Sequence, residues 1–214
     1  MVQDTLISVF ENNYPMIIIF TVVIVTIRLA YLLSRKIKFE LYRELFMLAF
    51  LLYSLILFYV VTFQDVNYGT NNFIPFKEIM RYEFGSSFFI HNVLGNILLF
   101  IPFGFFVSFI LKTKKPSYII IVTFITSLVI EFTQLLIGRT FDVDDVLLNI
   151  IGGFLGYLVY LVIQVTYDKL PDVLKKTWIK NIVLILIIIA IIVLYFSTTL
   201  WGILRWLIIW LMKN

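Results

Sequence analysis

The sequence predicts an all-α fold, a polytopic transmembrane helix bundle of about six spans. Three observations predict it. Of the 214 residues 62% are hydrophobic and only 14% charged, with a mean hydropathy of +1.03; a soluble domain carries about a quarter charged residues and under half apolar ones. The apolar residues fall in runs near the about 20 residues that a helix needs to cross hydrocarbon. Lysine and arginine gather in short breaks between those runs, where membrane topology puts them.

In chain order the runs are 14–34, 44–63, 91–111, 117–137, 146–166 and 181–200. Residues 1–13 show no basic region and no small-residue cleavage site, so the first run is expected to be an anchor and not a removed signal. Arg28, near its end, snorkels toward headgroups. The first break carries Arg35, Lys36, Lys38 and Arg43. The third carries Lys112, Lys114, Lys115 and Pro116, and the fifth Lys169, Pro171, Lys175, Lys176 and Lys180. These basic loops, 35–43, 112–116 and 167–180, hold eleven of the seventeen Lys and Arg, which places them on the cytoplasmic side of the membrane. The N-terminus then lies outside, with loops 64–90 and 138–145. The tail 201–214 is too short to span again. Trp201, Trp206 and Trp210 with Arg205 and Lys213 suit either a helix in the outer interface or an extension of the last span past Gly202. All of 1–214 is expected to form a single membrane domain.

Composition also excludes classes. With no cysteine there is no disulfide, haem-thioether or zinc-thiolate chemistry. The pI of about 9.2 is accounted for by the loop charges, so no nucleic-acid partner is expected. No phosphate-cradling glycine loop, G-x-S-x-G elbow or H-E-x-x-H helix occurs.

What stands out is the stretch IEFTQLLIGRTFDVDDV, residues 130–146, which sets Glu131, Arg139, Asp142, Asp144 and Asp145 between two apolar runs. An intramembrane carboxylate must be protonated, paired or hydrated. Glu131 lies seven residues before Gly138, about 10 Å below the outer boundary at about 1.5 Å per residue. Gln134 is one turn above it. Asn92 and Asn96 form an i, i+4 pair entering the third run from the same side, and Asp145 and Asn149 another on the fifth. Three helices thus bring polar faces to the outer half of the membrane. Asn92, Gln134 and Asn149 equally serve as interhelical glue. Asp145 is placed to cap the fifth helix, and Arg139 or Asn96 to partner Glu131. His91, the lone histidine, marks the mouth of the third run. Helix packing is expected at Gly95, Gly104, Gly152, Gly153 and Gly156, with a bend at Pro102. Asp142 and Asp145 are the pair that would hold a divalent cation, but no calcium-loop pattern is present and Arg139 opposes a cation, so no cofactor is expected.

Three stretches carry a resemblance: Asn72 to Phe76 (NFIPF), Asn92 to Gly104 (NVLGNILLFIPFG), and Ile130 to Tyr157. Their elements are an Asn-x-x-Gly-Asn helix with Phe100, Pro102 and Gly104, a Glu131-x-x-Gln134 helix, an Arg139-x-x-Asp142-x-x-Asp145 loop and an Asn149-x-x-Gly152 helix. Over about residues 35–165 the chain resembles the VanZ-like family of bacterial membrane proteins; runs 14–34 and 181–200 fall outside it. The resemblance implies a link to resistance against the lipoglycopeptide teicoplanin, through less drug at the cell surface and an unaltered peptidoglycan precursor terminus. It implies no catalytic residue set. The expected function is therefore non-enzymatic. An outer-leaflet pocket of Asn92, Asn96, Glu131, Gln134, Arg139, Asp142, Asp145 and Asn149 would engage an envelope lipid, a lipid-linked wall precursor or a lipoglycopeptide. The alternatives are an intramembrane enzyme on a lipid or isoprenoid phosphate, and a small transporter or accessory subunit.

Overall fold

The computed structural model describes residues 2–63, 70–190 and 192–194, without the side chains of 2–17 and 61–63. In it the membrane-length runs are helical, and shorter helices lie among them. These are α1 (Val2–Ser34), α2 (Leu41–Phe63), short α3 (Lys77–Arg81), α4 (Ser87–Phe89) leading through a π turn (Ile90–Leu94) into α5 (Gly95–Leu111), α6 (Pro116–Leu136), α7 (Val143–Asp168) and α8 (Thr177–Leu194). Among the described residues, five stretches are long and apolar enough to cross a membrane, and α1 adds a shorter apolar stretch, Ile18–Ser34. The third expected run begins earlier than read, at Ser87, because the π turn carries the helix through its polar start. The last run is seen to Leu194; residues 195–200 and the tail 201–214 lie outside the described residues.

The chain divides into two compact units, Met1–Lys38 with Leu45–Asp168, and Phe39–Glu44 with Lys169–Asn214. In the second, the first and fifth basic breaks meet. The Tyr42 N–H donates to Asn181 Oδ1 at 3.1 Å, and the Lys180 ammonium sits 4.8 Å from the Tyr42 ring centre. No described side chain of α8 is buried, as expected of an apolar helix facing lipid.

The first unit is built on α7, which α5 and α6 flank. Lipid tails are as apolar as leucine, so apolar burial does little to draw membrane helices together; close backbone approach does more. The glycines of α7 provide it. A Cβ on Gly156 would meet the Ile101 carbonyl and the Phe105 amide, one on Gly152 the Ile97 carbonyl, and one on Gly104 of α5 the backbone of Gly153. On its other side Gly153 lies against Thr123 of α6. Gly95, expected at a packing face, is not at one. A Cβ there would meet only the Ile90 carbonyl of its own helix, at 3.8 Å, and its N–H closes the π turn onto that carbonyl.

α2 packs on α5 by the opposite device, large rings. Phe46 stacks on Phe109 with ring centres 4.8 Å apart, Phe50 meets Phe106 at 5.5 Å, and Phe46 meets Phe106 edge-on at 6.2 Å. Pro102 has no N–H to give the Leu98 carbonyl. In the same turn the Leu99 carbonyl accepts from the Tyr53 hydroxyl of α2, so a partner helix serves the backbone around the proline. At the basic end the Tyr157 hydroxyl donates to the Lys114 carbonyl at 2.6 Å, tying α7 to the α5–α6 loop. Along α6 the buried stripe is polar, Thr123, Ser127, Glu131 and Gln134, whereas Ile121, Ile125, Val129 and Phe132 face outward.

Gly156→Leu should lower the thermal midpoint of the purified protein markedly, since overpacking costs about 1–3 kcal/mol even where neighbours can yield, and here they are backbone. Gly95→Ala should leave it unchanged or slightly raised. Both are read by thermal unfolding in detergent; equal losses would mean that Gly95 packs after all.

Candidate functional site

At the end of the bundle away from Lys112–Lys115, the backbone of residues 71–79 lies against the ends of α6 and α7. Asn72 fixes it. Its N–H donates to the Phe141 carbonyl at 2.8 Å and its carbonyl accepts from Val143 at 3.0 Å, a short parallel bridge opposite Asp142. Its side-chain amide donates to Asp142 Oδ1 at 2.8 Å, while its Oδ1 accepts from the Ile74 N–H at 3.2 Å, which turns the chain into Pro75. Phe76 then takes a left-handed backbone, φ 67°, unusual for a residue with a Cβ. Asp144 holds it there. One carboxylate oxygen accepts from the Phe76 N–H at 2.5 Å, the other from Glu78 and Ile79 at 2.8 and 3.2 Å. A buried carboxylate on α7 therefore caps α3, satisfying amides that would otherwise be orphans of a helix start.

The neighbouring acids have equally defined tasks. Asp142 Oδ1 accepts from the Asp144 N–H at 2.9 Å, so the cap of α7 is Asp142; the expected cap, Asp145, instead accepts from the Asn96 amide of α5 at 2.6 Å. Glu131, 1% exposed, accepts from the Asp142 N–H at 2.8 Å. That backbone N–H is one partner of the intramembrane carboxylate, while the expected partner Asn96 bonds Asp145 instead. Carboxylates Glu131, Asp142 and Asp144 thus form a relay, each fixing the backbone of the next element.

Between these elements lies a cleft of about 60 Å³, room for about four waters. α3 lines it with Glu78 and Ile79, followed by Tyr82; the π turn brings Asn92 and Val93; α6 ends in it with Gln134; Arg139, Thr140 and Asp142 come from the loop, and Asp144, Asp145 and Leu148 from α7. Five expected residues therefore meet here: Asn92, Gln134, Arg139, Asp142 and Asp145. Glu131 and Asn96 stand behind the lining, bonded to Asp142 and Asp145. The π turn breaks the expected i, i+4 pairing: Asn92 lines the cleft and donates to the Phe88 carbonyl at 3.0 Å, while Asn96 turns to α7. Asn149 does not reach the cleft. It lies a turn deeper and donates to Ser127 Oγ at 2.9 Å. His91 is exposed. Asn72, Glu78, Tyr82 and Asp144 were not on the expected list. The NFIPF stretch signalled Asn72, as an Asx turn followed by proline, and the charged stretch 130–146 signalled Asp144; Glu78 and Tyr82 had no signal.

Four carboxylates against one guanidinium make the lining acidic. Burial lifts the Asp142 carboxyl above its ordinary value, against the hydrogen bonds from the Asp144 N–H and Asn72 that favour the charged form. Burial, then the charge of Glu78, raises the Tyr82 phenol, which keeps it a neutral hydroxyl donor. Among the described residues no three His, Cys, Asp or Glu side chains converge at metal-ligand spacing. The arrangement can present carboxylate acceptors, amides, one phenol and one guanidinium to a polar group at the membrane surface.

Asp144→Ala should cost about 3 kcal/mol, the sum expected for losing charge-assisted bonds and stranding buried amides, and should open 70–86 to proteases in vesicle-reconstituted protein. Glu131→Gln keeps an acceptor and should preserve yield; Glu131→Lys should abolish it, as seen by fluorescence-detected gel filtration.

The family model described as VanZ/LLP1 matches residues 45–164, a stretch that spans most of α2 through nearly all of α7 and contains every residue of the cleft. No curated protein and no solved structure matches the chain. The match covers more than half of the chain and takes in the Asn-x-x-Gly-Asn, Glu-x-x-Gln and Arg-x-x-Asp-x-x-Asp elements from which the cleft is made: the chain belongs to the VanZ/LLP1 family.

Proposed function

We propose that this membrane protein binds the polar head of an envelope amphiphile in the cleft, at the exterior face of the bacterial cell membrane, and does so without chemistry. The ligand class is a glycosylated or peptide-bearing lipid, either a lipid-linked wall precursor or a lipoglycopeptide such as teicoplanin. The exterior assignment rests on the basic loops, since Lys112, Lys114 and Lys115 lie at the opposite end of α5 and α6 from the cleft.

One observation carries the reading: a small polar cleft opens at the ends of membrane-length helices beside exposed rings. Arg139 offers a planar guanidinium matched to a phosphate or carboxylate. The acidic lining and Tyr82 suit hydroxyls, amides and ammonium groups of sugars or peptides. Phe73 and Phe141 stack at 5.2 Å, with Phe132 6.0 Å from Phe141. Phe73 and Phe132 are more than half exposed, an apolar apron for an acyl chain. The carboxylates of Glu131, Asp142 and Asp144 each accept from backbone N–H groups and that of Asp145 from Asn96, commitments that favour holding a shape over metal-dependent turnover.

Deleting the gene should shift teicoplanin susceptibility and raise binding of fluorescent teicoplanin to intact cells, and the wild-type copy should reverse both. Arg139→Ala should bind a glycopeptide or lipid-linked precursor in nanodiscs about tenfold more weakly, about 1.4 kcal/mol. Arg139→Lys should rescue only part, because the bidentate geometry is lost. Wild-type susceptibility and wild-type surface binding in the deletion strain would refute the resistance role.

A further inference from the structure

Below the cleft, the α6–α7 seam stays polar for longer than the site requires. Thr123, Ser127 and Glu131 follow one another at four-residue intervals on α6, none more than 1% exposed, a stripe about 12 Å long at about 1.5 Å per residue. Opposite them α7 sets Asn149 against Ser127 and Gly153 against Thr123. Two oxygens in this seam have no partner among the described residues: Asn149 Oδ1, whose own amide is spent on Ser127, and Thr123 Oγ1. Buried polar atoms are satisfied by protein or by ordered water almost without exception, and lipid provides neither.

The register of the two helices tells what fits. Asn149 and Gly153 are one turn apart, so the orphan carbonyl and the orphan hydroxyl are offset by about 5.4 Å along the seam. That is about twice a hydrogen-bond length of about 2.8 Å, the span of one water. Ser127 Oγ, bonded to the Asn149 amide and one turn from Thr123 on α6, supplies a third partner, the number that buried waters ordinarily have. We propose that the seam holds a resident water that bridges Asn149 Oδ1, Ser127 Oγ and Thr123 Oγ1 beneath Glu131. The polar file ends there: in the next turn Ile119 and Tyr157 belong to the apolar core, and both are buried. The file therefore does not run on across the membrane. It adds a bridging water to the direct Asn149–Ser127 bond that fastens α6 to α7.

Thr123→Val tests this by sign, because valine copies the shape of threonine without the hydroxyl. If the water bridges, the variant strands it and the Asn149 carbonyl, and the full-length protein in detergent should lose about 2–4 °C in thermal midpoint. Thr123→Ser should hold the wild-type value, and replacing sodium by choline should change neither. A midpoint that stays or rises in Thr123→Val overturns the bridge, since removing an unsatisfied hydroxyl relieves the fold. A sodium-dependent gain seen in wild type and lost in the variant also overturns it, in favour of a monovalent cation. Should Thr123→Val fail to fold, a structure of the wild-type protein at water-resolving resolution decides: density within about 3.2 Å of both oxygens supports the water, and an empty seam refutes it.

Discussion

Close contact between the backbones of α5 and α7 is the constraint on which the rest depends. In hydrocarbon, dispersion and backbone proximity must do much of what water does for a soluble core. The row Gly152, Gly153 and Gly156 brings α7 against Ile97, Ile101 and Gly104. It fixes how the outer ends of α5 and α7 stand, and hence where Asn96 meets Asp145. Were the helices held apart by ordinary side chains, that 2.6 Å bond would be broken and the cleft would lose its floor.

On this frame the acidic residues act mainly on backbone. Each negative charge near the bilayer is offset by donated N–H groups. Asp142 serves the start of α7, Asp144 the start of α3, and Glu131 the peptide of Asp142. The extramembrane segment is therefore fastened by α7 itself, and Phe76 can be kept in a backbone conformation that it would not choose alone. The same economy explains an acidic lining that does not repel itself apart: most of the lining charge already has donors.

Much of this was legible in the chain. The spans followed from run length and hydropathy, the α7 packing face from small residues four apart, and the convergence of α5, α6 and α7 from polar residues at matching depth. Gly95 misled because its small-residue signal was spent within its own helix, on closing the π turn. Of the two readings open for Asn149 the structure gives interhelical glue, a choice that depth along a helix could not make, since it does not say which neighbour a side chain faces; Asn149 faces α6 and the seam. Asp144 stood out within the charged stretch, but its burial and its backbone partners could not be read there, because aspartate is usually exposed.

What the sequence by itself determined is everything that depends on neighbours close in the chain: where helices run, which stripe of each is small or polar, and which motif the chain carries. Hydropathy and helical spacing are local quantities, so they survive without a fold. Only the tertiary structure decided who bonds to whom. Asp144 finds its amides 65 to 68 residues away, Asn72 finds Asp142 at a separation of 70, and Asn96 finds Asp145 at 49. Such pairings depend on helix rotation and on a π turn that re-aims Asn92, and both are set by packing, which no stretch of sequence records alone.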